Sequence, residues 1–130
     1  MKLRLAPNTL RFRLKKIEVR KLGRGETLRD EMIFGPGPDD RLAYELSPVG
    51  PDAEGGGCSE ITASWSPGVI RVAVPAGMAE HWAGSEQVGL ESAQFVDDER
   101  MLGVLIEKDF VCGPQTPGGD DRYPNPNAAC

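Results

Sequence analysis

Two stretches sixty residues apart share one rhythm, and that spacing constrains the fold more than any other feature of the chain. TLRFRLKKIEVRKL (9–22) and VIRVAVPAGMAEHW (69–82) each alternate apolar and other residues for about six positions, then change to a helical pattern. Written against itself with a shift of 60 and no gap, the sequence aligns KLRL with TASW, Pro7 with Pro67, Glu26 with Glu86 and Leu42 with Leu102. Apolar positions agree at Leu10/Ile70, Phe12/Val72, Leu14/Val74, Leu22/Trp82, Leu28/Val88, Tyr44/Val104 and Leu46/Ile106. Few letters are identical, so the agreement lies in periodicity, the mark of an internal duplication.

Each unit reads as ββαββ. A short strand (1–5; 59–65) meets a turn, APN or SPG, in which Pro and Asn or Gly supply the turn dihedrals. An alternating strand follows (9–14; 69–74), and then a two-turn helix that begins near Lys15 or Pro75 and stops at Gly23 or Gly84. Two strands close each unit, 27–34 and 41–47 in the first, 87–95 and 101–109 in the second, joined by GPGPDD and VDDER. The fold class expected is mainly β (α+β): two ββαββ repeats closed as a compact swapped-hairpin-like β-barrel with two short helices. Residues 1–110 form a single domain in this reading, with repeat one at 1–47, a Gly/Pro linker at 48–58 and repeat two at 59–110. Residues 111–130 are too rich in Pro, Gly, Asp and Asn for a regular element and read as an irregular tail.

Length supports this economy, since 130 residues bury one core and not two. No apolar run approaches the roughly 20 residues of a membrane span, and the N-terminus lacks the apolar core of a signal peptide. A cytoplasmic location without membrane association is therefore expected. Cys58, Cys112 and Cys130 form no paired zinc spacing and are read as reduced thiols.

Charge is divided unevenly along the chain. Residues 1–30 carry ten basic and three acidic side chains, a net +7, while the whole chain is at −5 and the remainder therefore at −12. The basic segment either meets an anionic partner or is neutralised by the acidic part of its own chain.

A short strand, a turn, an [IV]x[VI]P strand, a small helix and two strands around an acidic turn resemble the DNA-binding unit of AbrB-type regulators and MazE-type antitoxins. RVAVPAGMAEHWAGSEQVGLESAQFVDDERMLGVLIEKD carries the likeness best. The resemblance implies an interlocked barrel of two units. It also implies DNA contacts from arginines on the first strand, at the start of the second and on the helix. The matching positions are Arg4, Arg11, Arg20 and Lys21 in the first unit and Arg71 in the second, where Ser64, Glu80 and His81 occupy the other places. An operator reader with two-fold symmetry needs two basic faces, and this pattern offers one. Over its whole length the chain is also similar to a family of small bacterial proteins of unknown function. The residues that carry this likeness are Asn8-Thr9-Leu10-Arg11, Glu107-Lys108-Asp109-Phe110-Val111-Cys112 and Tyr123-Pro124-Asn125-Pro126-Asn127.

Chemistry-bearing residues are sparse. Cys112, Cys130 and His81 would together make a soft-metal site if the fold brought them close, and Cys112 with Cys130 would equally make a disulfide that pins the tail. His81 otherwise reads as an exposed helical histidine, Trp82 as core, and Trp65 as barrel-closing packing. Asp39-Asp40, Asp97-Asp98-Glu99 and Asp120-Asp121 read as solvated turn carboxylates, and neither a Walker nor a dinucleotide motif is present. The expected function is a non-catalytic binding or interaction module without a cofactor, with another protein as the expected partner. The alternatives are a DNA-binding regulator or antitoxin, and a metal- or ligand-binding protein that uses the Cys112/Cys130 tail.

Overall fold

The computed structural model describes residues 1–51, 57, 59–110 and 121–123. Its elements, in order, are β1 (Lys2–Ala6), β2 (Thr9–Leu14), α1 (Lys16–Gly23), β3 (Leu28–Ile33), β4 (Arg41–Val49), β5 (Thr62–Ser66), β6 (Val69–Pro75), α2 (Ala76–Ala83), β7 (Gly89–Phe95) and β8 (Met101–Lys108). The molecule is mostly β with two short helices. The expected turns form at Pro7-Asn8 and Pro67-Gly68, where Asn8 and Gly68 adopt positive φ (53° and 80°). Pro75 ends β6 and caps α2, consistent with a ring that suits the entry to a helix. β4 runs on through Val49, two residues into the expected linker, whose residues 52–56 and 58 lie outside the described ones.

The strands form two four-stranded sheets, ordered β1-β2-β8-β7 and β3-β4-β6-β5. These are two separate ladders, which corrects the expectation of a closed barrel. Each sheet combines a hairpin from the first half of the chain with a hairpin from the second, joined through a central parallel pair, β2–β8 or β4–β6. Alternation decides which face goes inward. Leu10, Phe12 and Leu14 on β2, Val104 and Ile106 on β8, Ile70, Val72 and Val74 on β6 and Leu46 on β4 meet Val19, Leu22, Ala79 and Trp82 from the helices in one core.

One gap-free correspondence fails. Leu90, opposite Ile106, takes the buried place that Leu28 takes opposite Leu46, whereas Val88 is 48% exposed. Two extra residues precede β7, and the β7–β8 turn (96–100) is two residues shorter than the β3–β4 turn (34–40). The lengths cancel, so β4 and β8 stay in step.

Candidate functional site

Half of the ten cations in the first thirty residues, Lys2, Arg11, Arg13, Arg24 and Arg29, are ion-paired within the chain among the described residues. Glu107 on β8 sits among arginines of the neighbouring β2: Arg11 reaches it through Nε and a terminal nitrogen (2.6 and 3.2 Å), and Arg13 through Nε (2.8 Å). Burial alone would raise the Glu107 carboxyl, but the hydrogen bonds and charges of Arg11 and Arg13 outweigh it and hold it below the usual carboxylate range. Glu45 repeats the theme in the other sheet, between Arg29 (2.8 Å) and Arg71 (2.8 Å). A depressed folded-state value means that Glu107 stabilises the fold above its unfolded value of about 4.3 and loses that contribution as pH falls through the lower folded value. Glu107→Gln is therefore expected to be less stable than wild type near neutrality, with the gap closing in acid. Urea midpoints measured from neutral to acid pH check this.

Of the five cations that the DNA resemblance nominates, Arg4 and Arg11 lie directly opposite each other on β1 and β2. Arg20 and Lys21 are exposed on α1, and Arg71 lies on β6 in the other sheet. Arg11 and Arg71 are committed to Glu107 and Glu45, while Arg4 has no ion pair among the described residues. His81 is exposed on α2, and no group of metal-ligating side chains occurs among the described residues. Cys112 and Cys130 lie outside them, as does the disulfide or metal site they would build.

A second cluster was not anticipated. Lys108 and Asp109, at the end of β8, are buried charges. Lys108 Nζ donates to the Ser85 carbonyl (2.7 Å) and lies 5.5 Å from the ring centre of Trp82 and 5.4 Å from that of Tyr123. Burial pushes the Lys108 ammonium down, with Glu86 opposing. Asp109 accepts from Lys2 Nζ (3.1 Å), and its backbone N–H donates to Leu14 O (2.9 Å). Residues 121–123 come back to this corner: Tyr123 N donates to Asp109 O (2.8 Å), the Tyr123 ring packs on Phe110, and Asp121 takes the N–H groups of Lys16 and Ile17 at the start of α1. Two aromatic rings and a carbonyl around one ammonium make a clamp that holds residues 121–123 against the core.

This geometry brings together, from three distant stretches, Arg11 with Glu107 and Lys108 and Asp109 with Tyr123. A family model matches the chain over residues 1–127. The chain belongs to a family of unknown function (DUF7009). In this DUF7009 chain the matched span takes in both sheets, both helices and the returning segment. No curated protein and no solved structure matches it. No helix among its described residues is long and apolar enough to cross a membrane.

The most conspicuous surface lies where the strands turn. β2 and β6 run into helices at their C-terminal ends, so antiparallel and parallel pairing sets the ends of β1, β3, β5 and β7 at the opposite end of each sheet. There Phe95 is 81% exposed, Phe34 74% and Trp65 65%, with Leu5, Met32, Ile33, Val96 and Met101 also exposed. Trp65 faces inward by register, opposite buried Ile70, yet no described residue covers it, which corrects the expectation that it closes a barrel. Asp39, Asp98 and Glu99 stand in the turns beside these residues without an ion pair among the described residues.

Proposed function

We propose that the chain is a non-catalytic interaction module that holds another polypeptide against the apolar turn end of its sheets. The observation that supports this is the exposed run Met32, Ile33 and Phe34, which closes an edge strand and has Leu5 and Trp65 exposed at the same end of their sheets. A free strand edge ending in large apolar side chains is a template for an added extended segment. Exposed apolar groups clustered at strand ends, in place of the singly scattered ones of an ordinary surface, favour a partner. The nucleic-acid reading draws less support, because Arg11 and Arg71 are bound to carboxylates and Arg71 is on the other sheet.

Selection from a displayed library of random peptides tests the module. Peptides with alternating apolar residues are expected to enrich on the wild-type protein and to lose about tenfold or more in affinity for the Ile33→Ser, Phe34→Ser variant, as central apolar contacts carry most binding energy. Selected peptides that bind both proteins equally, or no enrichment, would remove the proposal.

We infer further that the two halves are copies of one ββαββ unit, of the interlocked kind the AbrB-type resemblance implies. Registers support this: Lys2↔Arg13 recurs as Thr62↔Ala73, and Thr9↔Gly103 as Val69↔Ala43, each sixty residues on or back.

A further inference from the structure

The two lateral seams between the sheets are built differently. At one, β7 is stapled to the edge of β5: the Gln94 side-chain oxygen accepts from Ala63 N–H (2.8 Å), its nitrogen donates to Ala63 O (2.9 Å), and Ser92 Oγ donates to Ile61 O (3.1 Å). Gln94 thereby satisfies a strand edge as a backbone amide would. At the other seam, between β1 and β3, the place of Gln94 belongs to Met32. Gln94 lies opposite Leu102 near the start of β8, and Met32 opposite Leu42 near the start of β4. A thioether offers a strand edge almost nothing. Among the described residues this seam is tied near the start of β1, by the terminal amine of Met1 to Glu18 and to Asp30 (3.4 Å). Toward the turns it presents exposed Leu5, Met32 and Phe34.

We propose that this open seam receives a second copy of the chain, β1 of each against β3 of the other; the inference rests on the interaction reading above and names its partner. One charge on each strand is complementary and available. Of the exposed charges on β1 and β3, Lys2 pairs with Asp109, Asp30 with the terminal amine and Arg29 with Glu45, which leaves Arg4 on β1 and Glu31 on β3 to meet across the contact. A two-fold rotation that exchanges the strands across the interface sets unlike charges together and buries Leu5, Met32 and Phe34 of both copies. Arg4 lacks an ion pair among the described residues, and the pair Glu31 makes with Arg41 (3.1 Å) is exposed and easily exchanged. Because the contact is isologous, it closes at two chains. Its two short strands fall below the roughly 20–30 residues a side of a standard interface, so the dimer is weak, with a Kd on the order of 10–100 μM.

Analytical ultracentrifugation of the full chain under reducing conditions, from low micromolar to several hundred micromolar, tests the dimer. Concentration-dependent dimerisation is expected. Arg4→Glu and Met32→Gln, the second of which installs the residue found at the closed seam, should each raise Kd by about tenfold or more. Arg4→Glu combined with Glu31→Arg should restore most of the loss. A wild-type chain that stays monomeric at every concentration overturns the proposal, as does a dimer indifferent to all three variants. The two readings fail separately. A monomer that still binds the selected peptides removes the self-association alone, whereas a monomer that binds none removes the interaction module with it.

Discussion

Replacing Trp82 with alanine is expected to cost about 3–5 kcal/mol of folding stability, the range for deleting a large aromatic from a closed core. Trp82 is fully buried, the largest such side chain among the described residues, and it stands on α2, which packs on α1 and on β4 and β6. Its removal leaves a cavity lined by core residues and takes away one of the two rings that face the Lys108 ammonium. A control isolates the cause. The indole Nε1 is buried without a hydrogen-bond partner among the described residues, so Trp82→Phe gives up area but also relieves an unpaired donor. The phenylalanine variant should therefore lose clearly less than the alanine one. Urea unfolding followed by far-UV circular dichroism reads both. A loss below about 1 kcal/mol for Trp82→Ala would mean that the core does not depend on this contact.

A side chain at Gly23 should be the next most damaging change. α1 and α2 pack together where each ends, and a Cβ built on Gly23 would lie 2.5 Å from the Cβ of Ala83, far inside contact distance. Neither atom terminates a flexible side chain, so the helices themselves would have to separate. Gly23→Val is expected to cost about 1–3 kcal/mol or more, as overpacking does in a filled core. A swap distinguishes crowding from an effect of glycine on the backbone. Gly23→Ala alone should destabilise, while Gly23→Ala with Ala83→Gly should recover most of the loss, because the methyl group has only moved from one helix to the other. Denaturant midpoints of the four proteins in the cycle give the coupling. Additive losses would show that the close approach is not what limits this interface.

Local structure was legible in the sequence where local forces decide it. The alternation of Leu10, Phe12, Leu14 and of Ile70, Val72, Val74 marked strands and their inward faces, and all six are buried. The turn residues and the helix starts follow from dihedral preferences that do not depend on distant neighbours. The pairing of Leu28 with Val88 went astray for a physical reason. A strand repeats every two residues, so an insertion of two before β7 leaves its alternation intact and cannot be seen in the pattern. Only the opposition of Leu90 to Ile106 reveals it. Trp65 shows another limit. Alternation assigned its face correctly, but exposure depends on how far the opposing sheet extends, which no local pattern records.

The candidate surfaces were less legible still. The closed seam depends on Gln94, an unremarkable polar residue in the sequence, and the open one on a methionine in the same place. Lys108 and Tyr123 are fifteen residues apart, yet meet around one ammonium because the chain returns to the end of β8. Composition registered that the first thirty residues are basic, without revealing that Arg11 and Arg13 spend their charge on Glu107 more than ninety residues away.

The sequence by itself determined the strands, their turns, the two helices and the face each strand turns inward, because period, turn chemistry and proline placement act over a few residues. The tertiary structure alone decided which hairpin meets which, since a β-strand's backbone groups are the same on every strand and specify no partner. That choice set Arg11 beside Glu107 and Glu45 between Arg29 and Arg71, closed one seam through Gln94, and left Leu5, Met32 and Phe34 exposed along the other.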